Sequence, residues 1–200
     1  MKLLGRFHQT RIFPRRVQRL VALLAQVLPS GSRVLDVGCG DGLIDSLLLA
    51  RRPDLRLEGT ELLLRPQTLI PVKAFDGCHL PYEDGSFDSV LFVDVLHHTT
   101  DPMALLREAM RVARKSLVIK DHLRKGFLAG ARLRFMDYVG NAHHGVALPY
   151  NYWRAMQWDA AAQALALTRS AEVTDVQLYP WPADYVFGAG LHFLARFDVN

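Results

Sequence analysis

The amino-acid sequence predicts an α/β fold in which an open, mostly parallel sheet carries helices on both faces. Short apolar runs alternate along the chain with longer segments whose apolar residues recur at helical spacing. The first apolar run leads directly into glycines at every second position, Gly38, Gly40 and Gly42. The second apolar run is followed by an acidic residue, Glu61, at the position where the carboxylate of such sheets accepts hydrogen bonds from ribose hydroxyl groups. These observations favour a nucleotide-like ligand at the carboxyl ends of the strands.

Length and composition predict one domain, residues 1–200, with a substantial core, because half of the 200 residues are hydrophobic. No apolar run reaches the roughly 20 residues that a membrane-spanning helix needs, and the basic N-terminus lacks the apolar segment of a secretory signal. The two cysteines, Cys39 and Cys78, form neither a disulfide framework nor a metal cluster, which favours the reducing cytoplasm. The net charge is +4, and its clusters of basic residues can attract anionic partners, although each basic residue taken singly is more typical of a solvated helix face.

The first half of the chain contains an N-terminal helix and four strands. Residues 14–28 repeat apolar side chains at helical spacing before the breaker Pro29-Ser30-Gly31, which predicts an amphipathic helix. A second helix, residues 43–52, follows the glycine turn. The crossover over residues 62–69 contains Pro66, so we expect its helix to be stunted. The predicted strands are residues 33–37, 55–60, 72–75 and 89–96.

The second half begins with a clear helix start, because Asp101 suits the cap position and Pro102 the first helical position. We expect that helix to end near residue 113. The remaining predicted helices are residues 123–139 and 158–167, and the remaining predicted strands are residues 116–120, 174–178 and 191–196.

The spacing of the three glycines distinguishes between nucleotide ligands. A dinucleotide-binding turn reads G-x-G-x-x-G, and its third glycine would fall at position 43, which is Leu43. This chain instead reads VLDVGCGDG over residues 34–42, a G-x-G-x-G turn with Asp36 inside the strand. That form resembles the first motif of the class I methyltransferases that use S-adenosylmethionine (SAM).

A second stretch strengthens the resemblance. Residues 74–102 place an acid after the third strand, then a Leu-Pro-aromatic turn, then Ser-Phe-Asp leading into the fourth strand. The resemblance implies a Rossmann-like sheet of seven strands in the order 3-2-1-4-5-7-6, with the last strand antiparallel. It also implies that SAM is the cofactor, with Glu61 on the ribose hydroxyls, Asp76 on the adenine amino group and Gly77 along the adenine ring. The implied cofactor-binding residues are Asp36, Gly38, Gly40, Glu61, Asp76 and Gly77.

Methyl transfer needs an aligned nucleophile and often a base that removes its proton. The polar residues expected beyond strands four and five make His97, Asp121 and His122 the candidate catalytic residues, with His122 or Asp121 as the base. Packing or capping roles remain open for each of them. The adjacent pair His143 and His144 lacks convincing further ligands, so we expect no metal.

Residues 121–157 interrupt the strand–helix rhythm and mix aromatic with basic side chains. We expect a substrate lid here, with Tyr150, Tyr152 and Trp153 as walls of an apolar acceptor pocket, although core packing is an equal alternative. Basic residues at the rim of the lid favour an anionic group on the acceptor.

The predicted function is transfer of a methyl group from SAM to a small, mainly apolar, aromatic or acyl acceptor. One alternative is a nucleic-acid methyltransferase acting on RNA, which the basic charge favours. No DNA partner is expected, because the sequence lacks both the Asn/Asp-Pro-Pro-aromatic element and the Pro-Cys nucleophile of such enzymes. The other alternative is a SAM-binding partner protein without catalysis. The oligomeric state stays open.

Overall fold

A seven-stranded sheet organises the computed structural model, which describes residues 12–141, 149–188 and 190–200. The strands are β1 (Arg33–Val37), β2 (Arg56–Glu61), β3 (Val72–Ala74), β4 (Phe87–Val93), β5 (Ala113–His122), β6 (Leu167–Val173) and β7 (His192–Val199). The helices are α1 (Phe13–Val27), α2 (Leu43–Arg51), α3 (Pro102–Val112), α4 (Ala129–Asn141), α5 (Ala155–Ala164) and α6 (Ala183–Phe187), with one 3-10 turn at Leu96–His98.

The strand order is β3-β2-β1-β4-β5-β7-β6, which confirms the order that the resemblance implied. The pairs from β3 to β5 are all parallel, whereas β7 runs antiparallel to both of its neighbours. The carboxyl ends of β1, β2, β4 and β5 therefore meet at one edge of the sheet, where ligands of such sheets bind.

The core lies on both faces of the sheet, because successive strand residues point to opposite sides. In β1, Val34 packs in the cluster that includes α1 and α2, while Leu35 packs in the cluster that includes α3 and α5. Among the described residues, no helix is long and apolar enough to cross a membrane.

The connection between β2 and β3 contains no helix, in line with the expected effect of Pro66. The start of α3 follows its sequence signal, because the Asp101 carboxylate accepts a hydrogen bond from the Ala104 amide at 3.0 Å.

The sixth strand differs from the prediction of residues 174–178. The structure places β6 at Leu167–Val173 and ends the preceding helix at Ala164 rather than at residue 167. Val176 and Leu178 are buried in the core, but they lie in irregular chain. Their apolar character reflects burial without strand pairing, whereas β6 is an edge strand whose side chains are mostly exposed.

The ends of β4 and β5 also differ from the prediction, and both differences shape the site. Strand β4 ends at Val93 because Asp94 adopts a left-handed conformation with φ 58°, so His97 lies in the 3-10 turn that follows. Strand β5 extends through Asp121 and His122, which pair with Phe193 and His192 of β7. The first two residues of the expected lid segment, 121–157, therefore belong to the sheet.

Candidate cofactor and acceptor site

The turn after β1 brings bare backbone to the edge of a large cavity. All three of its glycines have positive φ, and a side chain at Gly38 or Gly42 would collide with Val95 or Ile70 at 2.7 or 2.6 Å. A Cβ on Gly40 would meet no atom within 4 Å, because that side of Gly40 is open space. Gly40 is therefore the glycine that a ligand can approach closely.

Glu61, at the end of β2, is held next to this turn. Its carboxylate accepts hydrogen bonds from the Gly40 amide at 2.8 Å and from the Leu63 amide at 3.2 Å. The two amides fix the position of the carboxylate and tie the tip of β2 to the glycine turn. Both Glu61 and Gly40 line the cavity.

Asp76 lies after β3 in an exposed turn on the same cavity. Its carboxylate accepts hydrogen bonds from the amides of His79 at 2.6 Å and Cys78 at 2.7 Å, and these bonds lower the pKa of Asp76 to about 2. The side chain is therefore an anion near neutral pH, able to accept a hydrogen bond from an amino group. Gly77 lines the cavity beside it with φ 87°.

Asp36 is a buried carboxyl group beneath the glycine turn and also lines the cavity. Burial and the neighbouring carboxyl of Asp45 raise the pKa of Asp36 well above its usual range. Its Oδ1 atom has no hydrogen-bond partner. An unpartnered buried acceptor and the open side of Gly40 fit a ligand that brings a positive charge or N–H donors, as the methionine part of SAM does.

The cavity has a volume of about 880 Å³, near the upper end of the range for small-molecule sites. The predicted cofactor residues Asp36, Gly38, Gly40, Glu61, Asp76 and Gly77 all line it. A second part of its polar lining, called the acceptor end below, comes from α1, the end of β4 and the turn after it, β5, α4 and β7: Arg16, Asp94, His98, Lys120, His122, Asp137 and His192. One cavity thus joins the predicted cofactor-binding residues to His122, one of the predicted catalytic residues.

Two buried groups meet at the acceptor end. The Asp121 carboxylate accepts hydrogen bonds from the amides of Leu96 and His122, and its Oδ1 lies 2.5 Å from Nδ1 of His97. Burial alone would lower the pKa of His97, but the carboxylates of Asp121 and Asp137 outweigh it and raise that pKa to about 10. His97 is therefore a positively charged imidazolium at neutral pH.

The neighbouring histidine, His122, is in the other protonation state. Burial and the positive charge of His97 lower the pKa of His122 below its usual value, so His122 is a neutral imidazole at neutral pH. Its Nδ1 lies 3.3 Å from Nδ1 of His97 and 3.5 Å from Oδ1 of Asp121. Of these three predicted catalytic residues, His122 is the one that lines the cavity.

A second buried network flanks His122. The Asp94 carboxylate pairs with the guanidinium of Arg16 and with the ammonium of Lys120, whose side chain is fully buried. The Lys120 ammonium also lies 3.3 Å from Nδ1 of His192. Lys120 and Arg16 hold the pKa of Asp94 far below its usual range, against the effect of burial.

Ligand atoms of Asp94, His97, Asp121 and His122 lie within 4.8 Å of one another, which is close enough for a metal ion. The charges in the cluster are already compensated, since Lys120 and Arg16 hold Asp94 while His97 holds Asp121. The donor set therefore does not require an ion. The other pair considered from the sequence, His143 and His144, lies outside the described residues.

The lining of the cavity does not include the three predicted acceptor residues, but the centre of the Tyr152 ring lies 5.6 Å from the centre of the ring of His122, which does line it. The hydroxyl of Tyr152 donates to Asp137, and Tyr152 packs with Ala129 and Leu133 of α4. Trp153 packs against Trp158 with ring centroids 4.8 Å apart. Tyr150 is partly buried, with the Arg134 guanidinium 5.3 Å from the centre of its ring. Packing, the alternative raised from the sequence, describes these contacts.

The sequence analysis missed the charged residues Arg16, Asp94, Lys120 and Asp137 at the acceptor end. A signal existed for two of them, because Asp94 and Lys120 lie at the ends of strongly apolar runs, where a charged side chain needs a partner. Their partners come from distant parts of the chain, so the pairing itself could not be predicted from local sequence.

A model of a protein family described as a methyltransferase domain matches residues 7–168. The chain belongs to the class I SAM-dependent methyltransferases. This agrees with the strand order and with the resemblance of the glycine turn, and it establishes SAM as the cofactor. The cofactor end of the cavity fits SAM through the open side of Gly40 and the unpartnered oxygen of Asp36.

Curated relatives with different named acceptors resemble the chain to a similar degree. The 27-O-demethylrifamycin SV methyltransferase of Amycolatopsis mediterranei (strain S699) is 32% identical over 111 residues, 48% of this chain and 40% of the relative. The ubiquinone biosynthesis O-methyltransferase of Xanthomonas axonopodis pv. citri (strain 306) is 36% identical over 103 residues, which are 44% of this chain and 41% of the relative. The tRNA (carboxymethyluridine(34)-5-O)-methyltransferase of Schizosaccharomyces pombe (strain 972 / ATCC 24843) is 28% identical over 117 residues, which are 56% of this chain and 48% of the relative.

The matched region spans less than half the length of each of these relatives. A solved structure of a protein from Pyrococcus horikoshii OT3 matches 94% of this chain and 91% of its own, with a TM-score of 0.69 and 18% identity. At that identity the match supports the fold alone.

Proposed function

We propose that the protein transfers the methyl group of SAM to a hydroxyl group on a small, mainly apolar acceptor, with His122 as the general base. The observation that carries this proposal is a neutral imidazole, His122, on the same cavity as Gly40 and Glu61. A hydroxyl becomes a competent nucleophile when a neutral imidazole accepts its proton as the new bond forms. SAM, when bound, supplies the electrophilic methyl group.

The cofactor end supplies orientation in this proposal. Glu61 would accept hydrogen bonds from the ribose hydroxyls, Asp76 from the adenine amino group, and Asp36 would face the methionine part of SAM. Gly40 would lie against the methionine part, where a side chain would take up its space. These roles follow from the resemblance, and the shared cavity supports them.

His97 and Asp121 have positioning roles in this proposal. A protonated His97 cannot accept a second proton, so it does not act as a base near neutral pH. The charge of His97 keeps the pKa of His122 low, while the Asp121 carboxylate accepts a hydrogen bond from the His122 amide and so fixes the end of β5. In this proposal His122 is the base because it is the neutral histidine, and the charged groups His97 and Asp121 position it.

The proposed lid is reduced to the part of residues 121–157 that covers the acceptor end. Helix α4 contributes Met136, Asp137 and Val139 to the cavity lining, and these residues combine apolar surface with one carboxylate. Met136 and Val139 offer apolar surface to a mainly apolar acceptor, while the polar residues of the acceptor end would meet its hydroxyl group. The free cysteines Cys39 and Cys78 support a place in the reducing cytoplasm.

The test uses SAM labelled in its methyl group, incubated with fractionated host metabolites, lipids and RNA, followed by mass analysis of the labelled product. We expect label on an oxygen of an apolar small molecule with the wild type and none with His122→Gln. Label in RNA would overturn the acceptor class. Binding of S-adenosylhomocysteine without a labelled product in any fraction would favour the alternative of a non-catalytic SAM-binding partner.

A further inference from the structure

Helix α4 has apolar residues on two opposite faces, and only one of these faces is buried. Ala129 and Leu133 are buried against Tyr152 and Leu191. Leu128, just before the helix, and Phe135 and Tyr138 within it recur at helical spacing, and each is more than half exposed. An amphipathic helix of a globular protein normally presents polar residues on the face opposite the core.

Helix α6 continues this exposed surface. The Arg132 guanidinium donates to the carbonyl of Val186 at 2.5 Å, and the rings of Phe135 and Phe187 stack with centroids 5.9 Å apart. The two helices therefore lie side by side. Together with the residues that precede them, they present one aromatic face, made of Phe127, Leu128, Phe135, Tyr138, Trp181 and Tyr185.

The exposure of this aromatic face is high for residues of this size. Phe127 is 87% exposed, Trp181 88% and Tyr185 80%. Single exposed apolar residues are common in proteins, but several large ones on two helices that contact each other are typical of an interaction site.

The charge around the aromatic face is mainly positive. Arg124, Lys125 and Arg134 are exposed on the same segment. Of the acidic residues in the described parts of α4 and α6, Asp137 is buried against Tyr152, and Asp184 accepts a hydrogen bond from the Tyr179 amide. The face therefore offers three exposed cations against one partly exposed carboxylate, Asp184, which leaves a positive balance for an anionic surface.

We infer that the aromatic face docks on an anionic lipid bilayer surface. Tryptophan and tyrosine settle at the level of the lipid headgroups, aliphatic and phenylalanine side chains enter below it, and basic residues attract anionic lipids. Leu128 and Val186 favour this occupant over RNA, because aliphatic side chains do not stack on bases. Docking at the interface needs no membrane-spanning helix.

The aromatic face adjoins the cavity, since Val139, which lines the cavity, lies one helical turn from Phe135 on the same side of α4. An apolar acceptor dissolved in the bilayer would then lie next to the acceptor end. This consequence rests on the proposed function, whereas docking itself does not.

The experiment is co-sedimentation of the full chain with vesicles of phosphatidylcholine alone and of phosphatidylcholine with phosphatidylglycerol, in the absence of SAM. We expect binding to the anionic vesicles that weakens with salt. The double change Phe127→Ala and Trp181→Ala should weaken it at least tenfold, because it removes two large apolar side chains from the interface. Each of Arg124→Gln, Lys125→Gln and Arg134→Gln should weaken it about fivefold.

Matched controls lie at the opposite edge of the sheet. Leu69→Ala removes an apolar side chain that is 57% exposed near β3, and Arg56→Gln removes an exposed charge from β2. Neither should change vesicle binding by more than twofold. Every substituted residue on the aromatic face is exposed, so the variants should remain folded, which circular dichroism would check.

Tryptophan fluorescence gives a second measurement. Trp158 is buried and Trp153 is packed against it, whereas Trp181 is exposed. Anionic vesicles should shift the emission to shorter wavelength, and Trp181→Phe should abolish that shift.

Several outcomes would overturn the inference. These are no binding to anionic vesicles, equal losses in the Leu69 and Arg56 controls, or a self-associated wild type that the Phe127 and Trp181 changes convert to monomer. Binding to an RNA oligonucleotide that the arginine changes abolish, without vesicle binding, would assign the face to RNA. Vesicle binding without any methyl acceptor would leave the inference intact and count against the proposed function alone.

Discussion

The cofactor end and the acceptor end of the cavity are built in different ways. At the cofactor end, the Glu61 carboxylate accepts a hydrogen bond from the Gly40 amide. The Asp76 carboxylate accepts hydrogen bonds from the amides of Cys78 and His79. At the acceptor end, side chains pair with side chains across long sequence separations, such as Arg16 with Asp94 and Lys120 with His192. Nearby backbone amides therefore fix the side chains of the cofactor end, whereas side chains from distant parts of the chain fix those of the acceptor end.

The largest expected effect lies at the acceptor end. His122→Gln should lower turnover by about 10²- to 10⁴-fold, the usual contribution of a general base, with S-adenosylhomocysteine affinity changed by less than threefold. In the wild type, the lowered pKa of His122 should place the acid limb of turnover below pH 6.5. Calorimetry and a pH–rate profile with the identified acceptor check both expectations. Turnover unchanged in His122→Gln would remove the assignment of the base.

The next effect tests the backbone character of the cofactor end. Gly40→Val should reduce SAM affinity by about a hundredfold or more, because its side chain enters the space that a ligand needs. Gly31→Val is the matched control, since Gly31 has φ 65° against 62° for Gly40 and equally open space. Both variants carry the same backbone strain, so similar losses of affinity would show that strain, and not contact with SAM, is responsible.

Glu61 provides a smaller effect at the same end. Glu61→Ala should weaken SAM binding by about 1.5–3 kcal/mol, the scale of hydrogen bonds to a charged group. Glu61→Gln should lose less because one oxygen remains, but its amide NH₂ would face either the Gly40 or the Leu63 N–H. Calorimetry with SAM measures both variants. Equal affinity in the wild type and both variants would contradict a place at the ribose.

The last expected effect concerns thermal stability at the acceptor end rather than turnover or affinity. Because the pKa of His97 is raised from 6.5 to about 10, the stability that its charge contributes is fully present below pH 6.5 and is lost as pH rises towards 10. The wild-type Tm should therefore fall by about 5 °C or more over this interval. The His97→Gln variant should have a lower Tm throughout and a flatter slope between pH 6.5 and 10. Parallel slopes in scanning calorimetry would show that His97 does not carry the charge.

The two ends also differed in how far the sequence could predict them. The cofactor residues Gly38, Gly40, Glu61 and Asp76 lie in short motifs at strand ends, and all of them line the cavity. Tyr150, Tyr152 and Trp153 were placed in the acceptor pocket from their aromatic character, yet that character serves packing equally well. A motif specifies a backbone geometry, whereas an aromatic residue by itself does not specify which surface it meets.

The sequence by itself determined the α/β class, the glycine turn and the cap of α3, because each depends on local spacing and on the period of apolar residues. The SAM family followed from the resemblance of the glycine turn and of residues 74–102 to the motifs of that family. Only the tertiary structure decided the protonation states of His97 and His122, the partners of Asp94 and Lys120, and the exposure of Trp181 and Phe127. Burial and long-range neighbours set a pKa and an exposure, and neither quantity is a property of a residue in its own segment. The aromatic residues after β5 therefore lie in the core at some positions and on the exposed surface at others.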